Sequence, residues 1–344
     1  MALTENQISK IREELENCKN PIIFFHDDAD GLCSFLLLYR FVKQGKGIII
    51  KTTPKIDEKF ARNVAEYGAD KVFIVDIAIV DQEFIDAVDV PIIWIDHHTP
   101  LKREKVMYFN PRINDPKDNL PVSSLCYQVV KEDLWIATLG TIADWHWPKF
   151  IEEFKKQYPD LLDESVNDSE TALFETKVGK LIDMISFCLK GTTKEAISCA
   201  KILTRIKTPY EILNEETAAG KYIHNKYEEV NKEYQSLLKR ALKQKADGKI
   251  LLFRYLHGKI SFTKDIANEF LHRFPDKIII IAREKSGEMK ISLRSKDIPI
   301  LPVLEKSLQG INGFGGGHEF ACGANIMKDD FDRFIENIKS NLEK

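Results

Sequence analysis

Three features of this 344-residue chain predict an α/β protein built in two sheet-bearing parts. Short apolar segments alternate with helical segments in its amino-terminal third, the pattern of a parallel sheet with right-handed crossovers. Segments such as Pro21-Ile-Ile-Phe-Phe25 and Ile92-Ile-Trp-Ile95 carry no polar position, as strands covered on both faces require. The length exceeds one ordinary domain, and a second strand-and-helix pattern begins near residue 249. We therefore expect a parallel-sheet domain over 1–147, a helical region and connector over 148–245, and a smaller α/β domain over 246–344.

An amphipathic helix opens the chain over residues 4–18, with Thr4 as N-cap and Ile8, Ile11 and Leu15 on one face. Strand 21–25 runs into His26-Asp-Asp-Ala-Asp-Gly31 and an apolar helix from Leu32 to Val42. A second strand, Gly47 to Thr52, precedes a helix over 57–67, and a third, Lys71 to Asp76, precedes a short helix over 81–87. The fourth strand ends on Asp96-His97-His98. Ligands of such sheets bind beyond the carboxyl ends of the strands. Three strands thus deliver Asp28 and Asp30, Asp76, and the Asp-His-His triplet to one edge. After a strand over 106–109, the loop Asn110 to Pro116 is rich in turn residues. A helix from Val122 carries Ser123 and Ser124 in its first turn, where free N–H groups suit a phosphate; we read the serines as caps. The buried helix 134–147 ends in Ala-Asp144-Trp-His-Trp147, and a carboxylate there needs a partner or a metal. Trp145 and Trp147 are read as packing residues.

Residues 148–245 are helical and charged, ending in a long polar helix over 217–245 with a basic run at Lys239, Arg240, Lys243 and Lys245. Beyond it, strands are expected at 249–254, 277–283 and 288–294, with helices at 265–273, 301–308 and 329–342. The cluster Gly310-Ile-Asn-Gly-Phe-Gly-Gly-Gly-His318 allows close backbone approach to a ligand, and its successive N–H groups suit an anion nest with His318 as a further donor.

Composition narrows the class. With 44% hydrophobic and 30% charged residues the chain is globular, with apolar material for more than one core. No apolar run approaches the roughly 20 residues of a membrane span. The first residues lack a basic-then-apolar leader, so a cytoplasmic protein without membrane contact is expected. Six cysteines without a Cys-x-x-Cys pair argue for reduced thiols rather than a zinc site or disulfides. A net charge of -3 leaves no global footprint for nucleic acid, although a basic groove can be local.

Asp28, Asp30, Asp76, His97 and Asp144 are the candidate metal ligands, a carboxylate and imidazole set suited to Mn²⁺ or Mg²⁺. Asp28 and Asp30 flank one residue and so can address two neighbouring cations. In order, His26-Asp-Asp-Ala-Asp-Gly31, Asp76, Asp96-His-His98 and Asp144 resemble the four motifs of the DHH phosphoesterases. Gly315-Gly-Gly-His318 and Ser292-Leu-Arg-Ser295 resemble the nucleic-acid-binding domain that commonly follows. The resemblance implies a Mn²⁺-dependent phosphodiesterase of the RecJ-like nuclease and nanoRNase group, using two ions. It implies Asp28, Asp30, Asp76, Asp144 and His97 as ligands, and His98 near the substrate phosphate. It also implies that Arg294, Ser295, Gly315, Gly316, Gly317 and His318 hold the nucleotide across a cleft. Asp96 is read as a support that orients an imidazole or a water. Where the pyrophosphatase and nanoRNase branches place a metal-binding His, this chain has Phe24, and His26-x-Asp-x-Asp-Gly is more similar to archaeal RecJ-like nucleases. His26 is either a ligand or a supporting residue. The expected substrate is single-stranded DNA or RNA; the alternatives are very short oligonucleotides, cyclic dinucleotides or a nucleoside bisphosphate. An inactive replication or repair scaffold is the non-enzymatic alternative, and a replication or repair protein is the partner it would serve.

Overall fold

The structure, a computed structural model, describes residues 3–51, 55–256 and 258–342. Its contacts divide the chain into two compact units, Met1–Glu229 and Val230–Lys344. The division falls inside the long helix Ala218–Ala241. The helices between Ile151 and Leu213 fall in the first unit.

Twelve strands occur among the described residues. In the first unit these are β1 (Pro21–His26), β2 (Lys46–Ile50), β3 (Lys55–Ile56), β4 (Lys71–Val75), β5 (Ile79–Val80), β6 (Ile92–Ile95) and β7 (Met107–Phe109). The second unit has β8 (Ile250–Leu256), β9 (Ile278–Lys285), β10 (Glu288–Arg294), β11 (Gly313–His318) and β12 (Ala321–Met327). The expected end of the second strand, Thr52, lies outside the described residues.

The main sheet of the first unit has the order β2-β1-β4-β6-β7, and every pair in it is parallel. The chain moves outward from β1 to β2, then returns past β1 to build β4, β6 and β7. The strand order therefore reverses between β1 and β4. A crevice opens at such a switch point because successive crossovers leave in opposite directions. The sheet is covered on both faces, as its unbroken apolar strands require. One face packs Ile22, Phe24, Val72, Ile74 and Trp94 against Val64, Phe84 and Ile85. Phe25, from the alternate positions, stacks on Phe35 of helix Ala29–Val42 with ring centroids 4.4 Å apart.

That helix begins three residues earlier than its apolar run suggests. Asp28 is its N-cap and accepts from Gly31 N at 3.1 Å. Gly31 is required there because a Cβ would lie 2.6 Å from the carbonyl oxygen of His26. The helix ending in Asp144 is shorter than expected, spanning Leu134–Ala143, and Trp145 turns the chain with φ of 59°.

The second unit is a mixed sheet of order β11-β12-β10-β9-β8, in which only β8 and β9 pair in parallel. Its core sets Ile278, Ile280, Ile291, Leu293 and Ile326 against helices Ile300–Ser307 and Phe331–Leu342. All six cysteines are buried and free of disulfides. No helix among the described residues is long and apolar enough to cross a membrane.

Candidate metal centre

The loops at the carboxyl ends of β1, β4 and β6 converge beside the β1–β4 switch point, and each brings charge. Asp76, just past β4, is 2% exposed and takes a left-handed conformation with φ of 58°. Asp is one of the few residues that tolerates this region. Its backbone N–H donates to Ile95 O at 3.1 Å, which ties the turn to β6. Its two oxygens face different imidazoles. Oδ1 is 3.5 Å from His97 Nε2 and Oδ2 is 3.5 Å from His26 Nδ1.

Three groups of candidate ligands result, with donor atoms within 4.8 Å of one another in each: Asp76, His97 and His98; His26, Asp28 and Asp76; Asp30, His97 and Asp144. Asp76 and His97 each belong to two of the groups. The structure thus brings together all five ligands read from the sequence, and His26 joins them. His26 Nδ1 lies 3.1 Å from Asp28 Oδ2. Asp144 is the C-cap of its helix, and its side chain is 38% exposed, so the burial expected of it does not occur. The helix stops one residue before it, which leaves the carboxylate in solvent at the rim.

Each imidazole is aimed by a neighbour. His97 Nδ1 is 3.1 Å from the carbonyl oxygen of Asn119, to which it can only donate, and this leaves Nε2 toward Asp76 as the ligand atom. Asp96 is fully buried and accepts from the His98 backbone N–H at 3.1 Å and from His98 Nδ1 at 2.8 Å. Tyr108 Oη and Asn110 Nδ2 donate to the same carboxylate, at 3.4 and 3.3 Å. The Asn110 amide also donates to His98 O at 2.9 Å, closing a network around the second histidine.

Asp30 accounts for the start of helix Val122–Val130. Its carboxylate accepts from Val122 N at 2.8 Å, Ser123 N at 2.9 Å and Ser123 Oγ. Pro121 is the N-cap position and makes no side-chain bond, so neither a phosphate nor a serine cap holds this terminus. An aspartate from another helix does, and it reaches the terminus because Gly140 and small side chains let the helices close up.

Electrostatics reflect the crowding. Burial raises the Asp30 carboxyl well above its usual range, and the charges of Asp76 and Asp144 push it the same way. Burial opposes charge on His97, yet Asp76, Asp144 and Asp30 together hold its pKa well above 6.5. His26 follows the same balance, with Asp28 and Asp76 outweighing its burial. Asp76 Oδ2 and His26 Nδ1 are both buried and form no directed hydrogen bond. A buried carboxylate oxygen and a buried ring nitrogen left this way, amid further carboxylates, fit a hard divalent cation as the missing partner.

Other predicted residues sit elsewhere or differently. Trp145 lies against Phe174, with centroids 5.7 Å apart, and Lys155 Nζ lies 5.6 Å from the Trp147 ring, so both act in packing. In the second unit, Arg294 Nε donates to Asn268 Oδ1 at 2.8 Å and Nη1 to Leu293 O at 2.8 Å. Ser295 is 3% exposed and its hydroxyl accepts from Ile298 N. The glycine cluster forms a strand. Gly315, Gly316, Gly317 and His318 lie in β11, an edge strand exposed along its whole length. The glycines allow two strands to close: a Cβ on Gly315 would lie 2.9 Å from Gly323 O, and one on Gly313 or Gly317 would collide with the β12 backbone. Of the β11 glycines only Gly316 is open, with nothing within 4 Å of a Cβ there.

Sequence reading missed Asn110, Asn119, Tyr108 and Phe314. Asn110 directly follows a strand and was legible as a polar residue at the sheet edge. The Asn119 contribution is a backbone carbonyl and carries no signal. Phe314 shares a face of β11 with Gly316 and His318 and is 71% exposed, which its apolar character did not suggest.

The fold and the cluster of candidate ligands agree with the family comparison: residues 20–162 match the family described as "DHH family, N-terminal domain". Residues 263–344 match the "DHHA1 domain". The chain belongs to the DHH phosphoesterase family, with the DHHA1 domain following the DHH domain in sequence. Among solved structures it resembles RecJ of Thermus thermophilus in complex with Mn²⁺, with a TM-score of 0.71 and 16% identity over 99% of this chain and 55% of that one. The chain thus spans about half the length of that RecJ. A manganese-bound exonuclease RecJ matches with a TM-score of 0.64 and 15% identity, covering 99% of this chain and 94% of that one. CDC45 from Entamoeba histolytica matches with a TM-score of 0.55 and 10% identity over the full length of both. These likenesses establish the shared fold. No curated protein sequence matches the chain.

Proposed function

We propose that this protein is a metal-dependent phosphodiesterase that removes nucleotides from an end of single-stranded DNA or RNA. The observation that carries the reading is Asp76, whose two buried oxygens face His97 on one side and His26 on the other. Asp76 groups with His26 and Asp28 on one side and with His97 and His98 on the other, while His97 also groups with Asp30 and Asp144; together these residues would hold two cations. Two such cations, Mn²⁺ or Mg²⁺, would supply Lewis-acid charge to a phosphoryl group and lower the pKa of a bound water.

The protein's own groups do the rest. Asn119 holds His97 in the tautomer that ligates. Asp96 holds His98 by its Nδ1, which assigns Nε2 to the phosphate, where an imidazolium favours the growing negative charge. Burial opposes that charge, but Asp96 raises the His98 pKa above 6.5. In the second unit we assign nucleotide contact to Arg294, His318 and the open backbone at Gly316, with the exposed Phe314 ring as a surface for a base. A RecJ solved with manganese supports the choice of metal.

The test uses Asp76→Asn, which keeps a side chain tolerant of the left-handed conformation while removing the bridging charge. Purified protein with Mn²⁺ is given 5′- and 3′-labelled DNA and RNA from a dinucleotide to a 30-mer. The wild type is expected to shorten the long substrates stepwise, and Asp76→Asn to leave them intact while its melting temperature in EDTA stays that of the wild type. Retained cleavage by the variant overturns the site. Cleavage of the dinucleotide alone replaces the exonuclease by an enzyme of very short oligonucleotides.

A further inference from the structure

A second polar pocket lies in the first unit, at the opposite end of the helix that carries Asp28 and Asp30. Helix Ala29–Val42 starts from Asp28 and ends on Lys43, a left-handed cap with φ of 59°. At about 1.5 Å per residue its ends are roughly 20 Å apart, so the pocket is distinct from the metal centre. Its volume is about 500 Å³, and its charged lining comes from Arg40 and Lys43, Glu132 and Asp133, and Arg205 and Lys207.

Arg40 belongs to the wall. Its Nε and Nη2 donate to the two oxygens of Asp133 at 2.6 and 2.7 Å, and its Nη1 donates to the carbonyls of Thr204 and Ile206. This pair joins three connections in the chain and leaves neither charge for a ligand. Lys43, Arg205 and Lys207 are different. All three side chains are exposed, and none has an ion pair or side-chain hydrogen bond among the described residues. Four cations against Glu132 and Asp133 give the lining a net charge of +2. With Arg40 and Asp133 cancelling, Lys43, Arg205 and Lys207 face Glu132 within the lining, and Glu211, which accepts from the Lys207 backbone N–H at 2.7 Å, is a further carboxylate beside Lys207. Like charges gathered on a concave surface repel one another and raise the local potential for an anion.

We propose that this pocket binds a phosphate group. Phosphate carries the matching double negative charge, and its oxygens accept from a guanidinium and from ammonium groups at once. The group comes either from a free phosphate monoester or from the backbone of a nucleic-acid strand. The assignment needs no catalysis and stands independently of the activity proposed above.

Three forms of the full chain separate the outcomes: wild type, Arg205→Glu/Lys207→Glu, and the milder Arg205→Ala/Lys207→Ala for use if the reversal lowers the melting temperature. Each is titrated calorimetrically with inorganic phosphate and with a 5′-mononucleotide. Each is also titrated by fluorescence anisotropy with a labelled single-stranded 12-mer in EDTA, where no cleavage occurs. The wild type is expected to bind at least one probe, with affinity falling roughly tenfold or more in the variants as two charged contacts are lost. Binding of the small probes identifies a free monoester as the ligand. Binding of the 12-mer alone, weakening steeply with salt, identifies a strand. No binding by the wild type, or equal affinities across the three proteins, overturns the proposal.

Discussion

Asp96 shows how much of this site rests on residues that touch no ligand. It is fully buried and accepts from the His98 backbone, the His98 ring, Tyr108 and Asn110. Asp96→Asn places an amide where donors converge, so the His98 ring loses the charge that fixes its Nδ1 proton. We expect kcat to fall roughly 10–100-fold with KM little changed. Lost acceptors in the core lower stability by about 1–3 kcal/mol. Steady-state kinetics at saturating Mn²⁺, paired with urea denaturation, check both; an unchanged kcat would show that His98 needs no orienting. The candidate ligands were legible because each stands where an apolar strand or helix meets a loop, and side chains leave the core at such places. The supports were not, since the Asn119 carbonyl and the Asn110 amide act only after loops distant in the chain have met.

At the scale of elements, contacts between helices carry information that local pattern lacks. Asp30 sits in the first turn of one helix and satisfies the first turn of another, 92 residues onward. Ser123 therefore looked like a cap for its own helix when it is a donor to a metal-centre aspartate. The glycine cluster makes the same point: glycine permits both a close approach to a ligand and a close strand pair, and only the β12 backbone shows the pair. Helix Thr193–Leu203 has a capping box, in which Glu195 accepts from Thr192 and also meets Lys226 at 2.9 Å. Its bonds to Thr192 come first and the Lys226 ion pair next in holding its pKa at about 2, below the ordinary 4.5. A depressed carboxylate stabilises the fold above its unfolded pKa, and the contribution disappears as pH falls from 4.5 toward 2. Glu195→Gln keeps a residue that completes a capping box and removes the charge. Urea denaturation at about pH 5, 4 and 3 is expected to show a shallower loss of stability in the variant, small because the pair is solvent-screened. Parallel curves would mean that Glu195 titrates normally.

For the molecule as a whole, a cluster of carboxylates assembled by folding makes metal binding a stabilising event for the first unit. Cation at about 100 times its Kd adds about 2.7 kcal/mol to whatever unit binds it. Calorimetric unfolding should therefore show a transition that Mn²⁺ raises by about 5–10 °C and EDTA returns. No shift with Mn²⁺, in a protein still folded, would remove the metal centre. The second unit, with its own core around Ile280, Leu293 and Phe334, is expected to unfold at a temperature that Mn²⁺ leaves alone. Sequence alone determined the fold class and the sheet edge at which the candidate ligands meet. Strand burial and turn chemistry are local, and several carboxylates delivered to one sheet edge repel one another unless a cation joins them. Tertiary structure decided the sharing of Asp76 between two imidazoles, the grip of Asp30 on a distant helix and the strand made from the glycines. It also gathered Lys43, Arg205 and Lys207 around one pocket. Each of these depends on segments far apart in the chain arriving within a few ångströms of one another, and packing alone sets such distances.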